Sequence, residues 1–417
     1  MADYTSLKLD PGKRLIAPED TALQALGEHP ALPETVDVAI AGAGVIGLSI
    51  GWRLAARGLS VAVFDRNTAG TGASLAATGM LAAAAEHEPG GDELLTLALE
   101  SQELWPQFRS MLESESGIDI DYRNEGTLLV ANNRDEVDRL RFRHELQQRC
   151  GLDAQWLNPG ETRTLEPGLR SSVAGGILCR GDHQVDPRPM VPALARAFVK
   201  QGGSLFEKTA VTAIDMAGGR AGGLLTDAGL CKAKSVVIAN GVWAGELLDP
   251  LNIDTPMRPL RGQAMSLITT RQTGTLSHVV WTEQIHLAPK RDGRLVVGAT
   301  VEDMGFQAAV TAGGALALLE GLHRALPSSE EMEVEAIWSG FRPTSDDDAP
   351  IIGETGIDGL SVATGHHRNG ILLAPVTGKA FEDYFVHGAM TGAAANFGLA
   401  RFARNQAALR HEPHQVD

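Results

Sequence analysis

Cysteine is scarce in this sequence. Cys150, Cys179 and Cys231 are far apart and odd in number. With no Cys-x-x-Cys pair and no zinc-type spacing, neither a disulfide framework nor a bound metal is expected. The thiols read as small core residues of a chain kept in a reducing cytoplasm. Runs of lysine or arginine are also missing. The 36 basic residues stand against 52 acidic ones, a net charge of -16. Such a chain repels phosphate backbones and anionic lipid, so nucleic acid and membrane surfaces are not expected partners. The longest apolar stretch near the start, residues 38–52, falls short of the roughly 20 residues that span a bilayer. Residues 1–34 lack the apolar segment of a signal peptide and read as an extension outside the main fold. No repeat, low-complexity tract, Ser/His/Asp constellation or paired-carboxylate constellation stands out.

What remains is 417 residues, 43% apolar and 21% charged, enough for two domains and a sizeable core. A short apolar run at 36–41 leads into Gly42-x-Gly44-x-x-Gly47 and a helical stretch to Arg57. Gly58 then stops the helix, and 60–64 reads as a second strand. Helical spacing of apolar residues predicts helices over 92–115, 136–149, 187–201 and 311–326, with Thr311 as an N-cap, and a last helix over 370–385 with Pro375 near its start. Residues 118–131, 205–239, 257–300, 334–338, 351–353 and 360–363 read as strand-rich.

The βαβ unit at the start is built for a dinucleotide. Gly42 allows the tight turn, Gly44 lets the backbone approach a pyrophosphate, and Gly47 permits close helix–strand packing. The free N–H groups of Val45 and Ile46 at the helix start face the phosphates. Asp65 ends the next strand 18 residues beyond Gly47, where an acid accepts from ribose hydroxyls; its other reading is a solvated turn residue. Residues 71–81, with Ser74, Thr78, Gly79, Met80 and Leu81, are small, charge-free and rich in hydroxyls. They favour FAD over NAD, as a loop and helix start lying against phosphates and ring system; the other reading is a flexible loop.

At these residues the chain resembles the D-amino-acid oxidase family of flavoproteins and, within it, the glycine oxidases that feed bacterial thiamine synthesis. The matching stretches are 39–65, 72–81, 236–243 (VVIANGVW), 258–263 (RPLRGQ), 295–300, 338–343 (WSGFRP) and 365–375 (GHHRNGILLAP). The resemblance covers roughly residues 35–400 and implies an α/β (α+β) fold: a Rossmann-like FAD-binding domain with a second, antiparallel-sheet substrate domain. It implies a discontinuous FAD-binding domain of 35–92, 171–245 and 336–400, and a substrate domain of 93–170 and 246–335. The ring system would lie at the boundary between the two. The expected FAD contacts are Gly42, Gly44, Val45, Ile46, Asp65, Arg66, Ser74, Thr78, Gly79, Met80 and Leu81 in the first third, and Val211 near the adenine. Asn240, Gly241 and Trp243 follow, then Arg342, His367, Arg368, Asn369, Gly370, Ile371 and Leu372, with Gly370 and its neighbours presenting N–H groups to the flavin. No cysteine lies in 343–351 or 365–375, so the FAD is expected to be non-covalent.

For the substrate the resemblance implies an amino acid held by its carboxylate. Arg342 is the expected clamp, since a guanidinium holds a carboxylate with two parallel bonds; the alternative is a pair with Asp346, Asp347 or Asp348. Arg368 is a second candidate, for gating or orienting substrate, or else a salt bridge at the rim. Met80 contacts ring or substrate, or is simply core. The family's usual tyrosine is replaced by His286, which donates the same bond but titrates near neutral pH; it reads equally as a packed sheet residue. The adjacent His366 and His367 face opposite sides if on a strand, and a metal pair is not expected.

The implied reaction is oxidation of glycine, sarcosine or a small D-amino acid to the 2-oxo acid, with oxygen as acceptor and hydrogen peroxide formed. Two alternatives stand beside it. One is a dehydrogenase of a secondary amine, D-proline-type or 2-hydroxy acid substrate using another acceptor. The other is a non-catalytic FAD-binding subunit of a complex. A homo-oligomer is an open expectation.

Overall fold

The computed structural model describes residues 31–270 and 276–402; residues 1–30 of the expected N-terminal extension lie outside them. The described chain forms two compact units. One holds residues 31–122, 185–260 and 341–402, the other 123–184 and 261–340. Among the described residues no helix is long and apolar enough to cross a membrane.

The larger unit is organised on a mostly parallel sheet in the order Ile351–Glu354, Leu360–Thr364, Gly229–Ile238, Thr35–Ala41, Val61–Phe64, Ser204–Phe206. The Thr35–Ala41 strand sits between two parallel partners, with Val38 opposite Val61 on one side and Ser235 on the other. Val38, Ala39 and Ile40 are fully buried, which is why this strand reads as a continuous apolar run rather than an alternating one. Helix Val45–Ala56 packs against helices Pro187–Lys200 and Ala374–His387. The antiparallel strands Val211–Ala217 and Arg220–Thr226 extend the sheet from Gly229–Ile238.

Helix Asp92–Ser116 belongs to this unit, whereas the sequence reading assigned 93–170 to the substrate domain. The reason is what its buried face meets. Ser101 Oγ (2.6 Å) and Trp105 Nε1 (2.9 Å) both donate to the carbonyl of Leu372, and the helix packs on Pro187–Lys200 and Ala374–His387. Residues 246–260 also fall in this unit and 171–184 in the other. The last helix begins at Ala374, not at 370, with Pro375 in its first turn, where a missing N–H costs nothing.

The smaller unit carries a sheet in the order Glu333–Ser345, Met257–Ile268, Arg294–Gly298, His286–Pro289, Val279–Trp281, Thr127–Ala131, Gly175–Cys179, Ala154–Leu157. From Met257–Ile268 to Ala154–Leu157 the neighbours pair antiparallel, except Val279–Trp281 with Thr127–Ala131, which run parallel. Leu128, Leu178, Leu267, Leu287 and Val297 form its core with Leu318 and Leu322. The latter two come from helix Ala312–Ala325. Thr311 caps that helix as its sequence predicts, accepting from the Gly314 N–H at 3.1 Å.

Candidate active site

The glycine-rich turn is sterically dictated. Gly42 has φ +107°, and a Cβ there would lie 2.4 Å from the Ala239 carbonyl oxygen; a Cβ on Gly47 would lie 1.9 Å from the Gly42 oxygen. Both positions exclude every other residue. The helix that follows, Val45–Ala56, has Gly44 at its N-cap, which offers no side chain to cap it. Instead Ser74 Oγ accepts from the Val45 N–H at 2.9 Å. Ile46 follows in the first turn of that helix, in the N–H array that suits an anion.

Asp65 holds this turn in place. Its Oδ2 accepts from the Ala43 N–H at 2.8 Å and its Oδ1 from the Asn67 N–H at 2.9 Å. Burial raises its pKa, while these two bonds and the Arg66 charge oppose the rise. Arg66 itself lies over the Trp243 ring at 4.4 Å. Asn240 donates from Nδ2 to the Trp243 carbonyl at 3.0 Å, while its Oδ1 is buried with no partner among the described residues. Gly241, at φ +62°, accepts from Thr364 Oγ1 at 2.8 Å, so this turn is tied to the Leu360–Thr364 strand. Val211 is partly buried against the sheet core.

Residues 71–81 are not a flexible loop. They form the short helix Ala73–Ala76 and the strand Met80–Leu81. Gly79 has φ +87°, and a Cβ would lie 2.0 Å from the Val185 oxygen. Thr78 precedes it, half-buried, while Met80 and Leu81 are buried. Gln102 Nε2 donates to the Leu81 carbonyl at 2.9 Å.

The GHHRNG segment is a turn, not a strand, so its two histidines are separated by their bonds rather than by pleat. His366 is fully enclosed and meets Thr377 Oγ1 through Nε2 at 3.0 Å; burial pushes its pKa down to about 3. His367 sits at φ +46°, and its Nδ1 meets Thr344 Oγ1 at 2.7 Å. Burial, then the charges of Arg368, Arg342 and Arg258, pull its pKa to about 3 as well. Both imidazoles are neutral at pH 7. The turn continues through Asn369, whose N–H donates to the His366 carbonyl at 2.8 Å, then Gly370, Ile371 and Leu372. Gly370 has an ordinary backbone and room for a Cβ, 3.7 Å from that of His366.

Arg342 lies beside this turn. The antiparallel bridge between Thr344 and His366, and the 3.0 Å bond from the His367 N–H to the Pro343 carbonyl, bring Arg342 next to Arg368. The acids proposed as its alternative partners face elsewhere: Asp346 is 3.8 Å from Arg258, Asp347 is 2.7 Å from Arg401, and Asp348 is 4.0 Å from His367. Burial lowers the Arg342 pKa, Arg368 lowers it further, and Glu86 counters both. Arg368 makes an ion pair, the second of its two readings, through Nε to Glu86 Oε2 at 2.7 Å. Glu86 escaped the sequence reading; its only mark is a charge closing the apolar run 80–85.

His286 belongs to the smaller unit. It pairs with Trp281 and Gly298 across the sheet, and its ring meets Trp281 edge-on at 5.8 Å.

Comparison with known proteins identifies the frame around these residues. Residues 37–384 match the DAO family model, described as FAD dependent oxidoreductase. The chain belongs to this family. It is therefore an FAD-dependent oxidoreductase, and the glycine cradle and the Asn240 Oδ1 that has no partner among the described residues suit such a dinucleotide. Among its relatives, a glycine oxidase of Geobacillus kaustophilus is 37% identical over 83% of this chain and 92% of its own. A crystal structure of glycine oxidase from the same species is 36% identical and superimposes with a TM-score of 0.83, covering 88% of this chain and 99% of that one. Hydrogen cyanide synthase subunit HcnC of Pseudomonas protegens is 30% identical over 90% of this chain and 99% of its own.

Proposed function

We propose that this protein oxidises a small α-amino acid (glycine, sarcosine or a small D-amino acid) to the 2-oxo acid, with oxygen as the electron acceptor and hydrogen peroxide as co-product. The observation that carries this reading is Arg342, a guanidinium partly withdrawn from water beside the GHHRNG turn of the dinucleotide-binding unit. The glycine oxidases at 36–37% identity point to the same substrate class.

FAD, when bound, supplies the two-electron acceptor for the hydride leaving the substrate Cα. The chain does the rest. The Gly42–Gly44–Gly47 turn and the N–H groups that follow it hold the pyrophosphate, with Asp65 and Ser74 fixing that turn and helix start. Arg342 grips the carboxylate with two parallel charge-assisted bonds and so aims the Cα. Met80, buried and uncharged, offers an apolar wall. No side-chain base is required once the amine is neutral. The imino acid that leaves hydrolyses in water. The FAD is held without a covalent bond.

A second reading keeps the same oxidation and passes the electrons to an acceptor other than oxygen. One experiment separates the two. Glycine, sarcosine, D-alanine and D-proline are mixed anaerobically with the yellow protein, and air is then admitted. Bleaching by one of them, reversed by air with peroxide formed, is the expected result. Bleaching without rapid reoxidation selects the second reading, and no bleaching by any of them removes the amino-acid assignment.

A further inference from the structure

We propose that Glu86 is a specificity-determining residue: by holding Arg368, it restricts the substrate to amines that carry a single anionic group. The inference rests on the reading of Arg342 as the carboxylate clamp.

The geometry is local and charged. Glu86 closes the turn after the Met80–Leu81 strand, its N–H donating to the Ala82 carbonyl at 3.1 Å. Its carboxylate is nearly enclosed, with 10% of the side chain exposed, and stands 2.7 Å from Arg368 Nε. Arg368 is 41% exposed, so the pair joins a buried acid to a cation that reaches solvent. The bridge between Thr344 and His366 sets Arg342 beside that cation. One carboxylate therefore pairs with Arg368, and its charge also acts on Arg342.

Counted as formal charges, the group carries one net positive charge. One substrate carboxylate neutralises it. A second carboxylate or a phosphonate on the same substrate meets a cation already engaged and a nearby carboxylate of its own sign. Like charges in a weakly solvated place repel strongly. The same acid offsets the mutual repulsion of the two arginines. The charge of Glu86 raises the pKa of Arg342 against the lowering effects of burial and Arg368.

Removing the charge while keeping the shape, as in Glu86→Gln, leaves two positive charges and releases Arg368. The site then favours dianions. The test titrates the FAD-loaded protein with acetate and with malonate, reading the shift in flavin absorbance, so no turnover is needed. The wild type should bind acetate in preference to malonate. In Glu86→Gln, malonate should gain on acetate by roughly tenfold or more, the scale of one charge-assisted contact. Adding Arg368→Gln to that variant should erase the gain.

A merely structural Glu86 would weaken both ligands together. An unchanged ratio of the two affinities, with acetate still bound, overturns the inference and leaves the Arg342 reading standing. If neither ligand binds the wild type, both fall. Should Glu86→Gln not fold, Arg368→Gln serves instead. It leaves the Glu86 charge with Arg342 as its cation, and acetate should weaken roughly tenfold or more; unchanged acetate binding there also overturns the inference.

Discussion

Asp65 and Ala43 are joined by a 2.8 Å hydrogen bond from the Ala43 N–H to Oδ2, which fastens the glycine-rich turn to the end of the neighbouring strand. The second oxygen is taken by the Asn67 N–H. A side-chain amide in place of this carboxylate would keep one acceptor and turn an NH2 group against the other N–H. Asp65→Asn should therefore lose about 1–3 kcal/mol of turn stability. Measured by fluorescence titration of FAD into the apoprotein, the Kd should rise about ten- to a hundredfold. An unchanged Kd would show that the carboxylate is dispensable to the turn.

Arg342→Lys keeps the charge and loses the planar fork. Substrate affinity, read from anaerobic flavin reduction, should fall on the order of a hundredfold, while flavin content per protein stays as in the wild type. Were Arg342 a cofactor anchor instead, the flavin itself would be lost.

His366 makes the fold sensitive to acid. Its pKa is pushed from 6.5 to about 3 by burial, so below pH 6.5 the unfolded chain takes up a proton that the folded one refuses. The associated stability is fully present above pH 6.5. It is lost as pH falls toward about 3, with a slope of up to about 1.4 kcal/mol per pH unit. Urea unfolding midpoints between pH 7.5 and 5 should show this slope. His367, whose pKa is also lowered to about 3, adds a slope of its own, so His366→Gln should reduce the total by roughly half while lowering stability at pH 7.5, and an identical slope in the variant would refute the assignment.

The thiols of Cys179 and Cys231 are buried. Burial raises the pKa of both, that of Cys231 to about 11, which keeps them in the unreactive protonated form. Denaturation of the yellow protein in acid, followed by filtration, should leave the flavin in the filtrate. Colour retained on the precipitate would mean a covalent link.

Much of this architecture was legible from local chemistry. The Gly42–Gly47 turn announces itself because no other residue fits, and Thr311 because a hydroxyl before a helix satisfies an orphan N–H. The helix Asp92–Ser116 was legible as a helix but not as part of the dinucleotide unit. Its periodicity says that one face is buried, not that Trp105 will meet Leu372. The strand-like reading of the two histidines failed for a similar reason, since His367 adopts a positive φ that only its surroundings justify. Glu86 was illegible altogether. Its meaning comes from Arg368, far along the chain, and a single sequence does not record that pairing.

The central parallel sheet has a consequence for synthesis. Gly229–Ile238 waits for Leu360–Thr364 to cover its flank, and more than a hundred residues of nascent chain emerge between the two. Until then an apolar edge formed by Val236, Val237 and Ile238 stays open on the ribosome. A chain stopped short of residue 360 should therefore be a substrate for chaperones and proteases rather than a half-active enzyme.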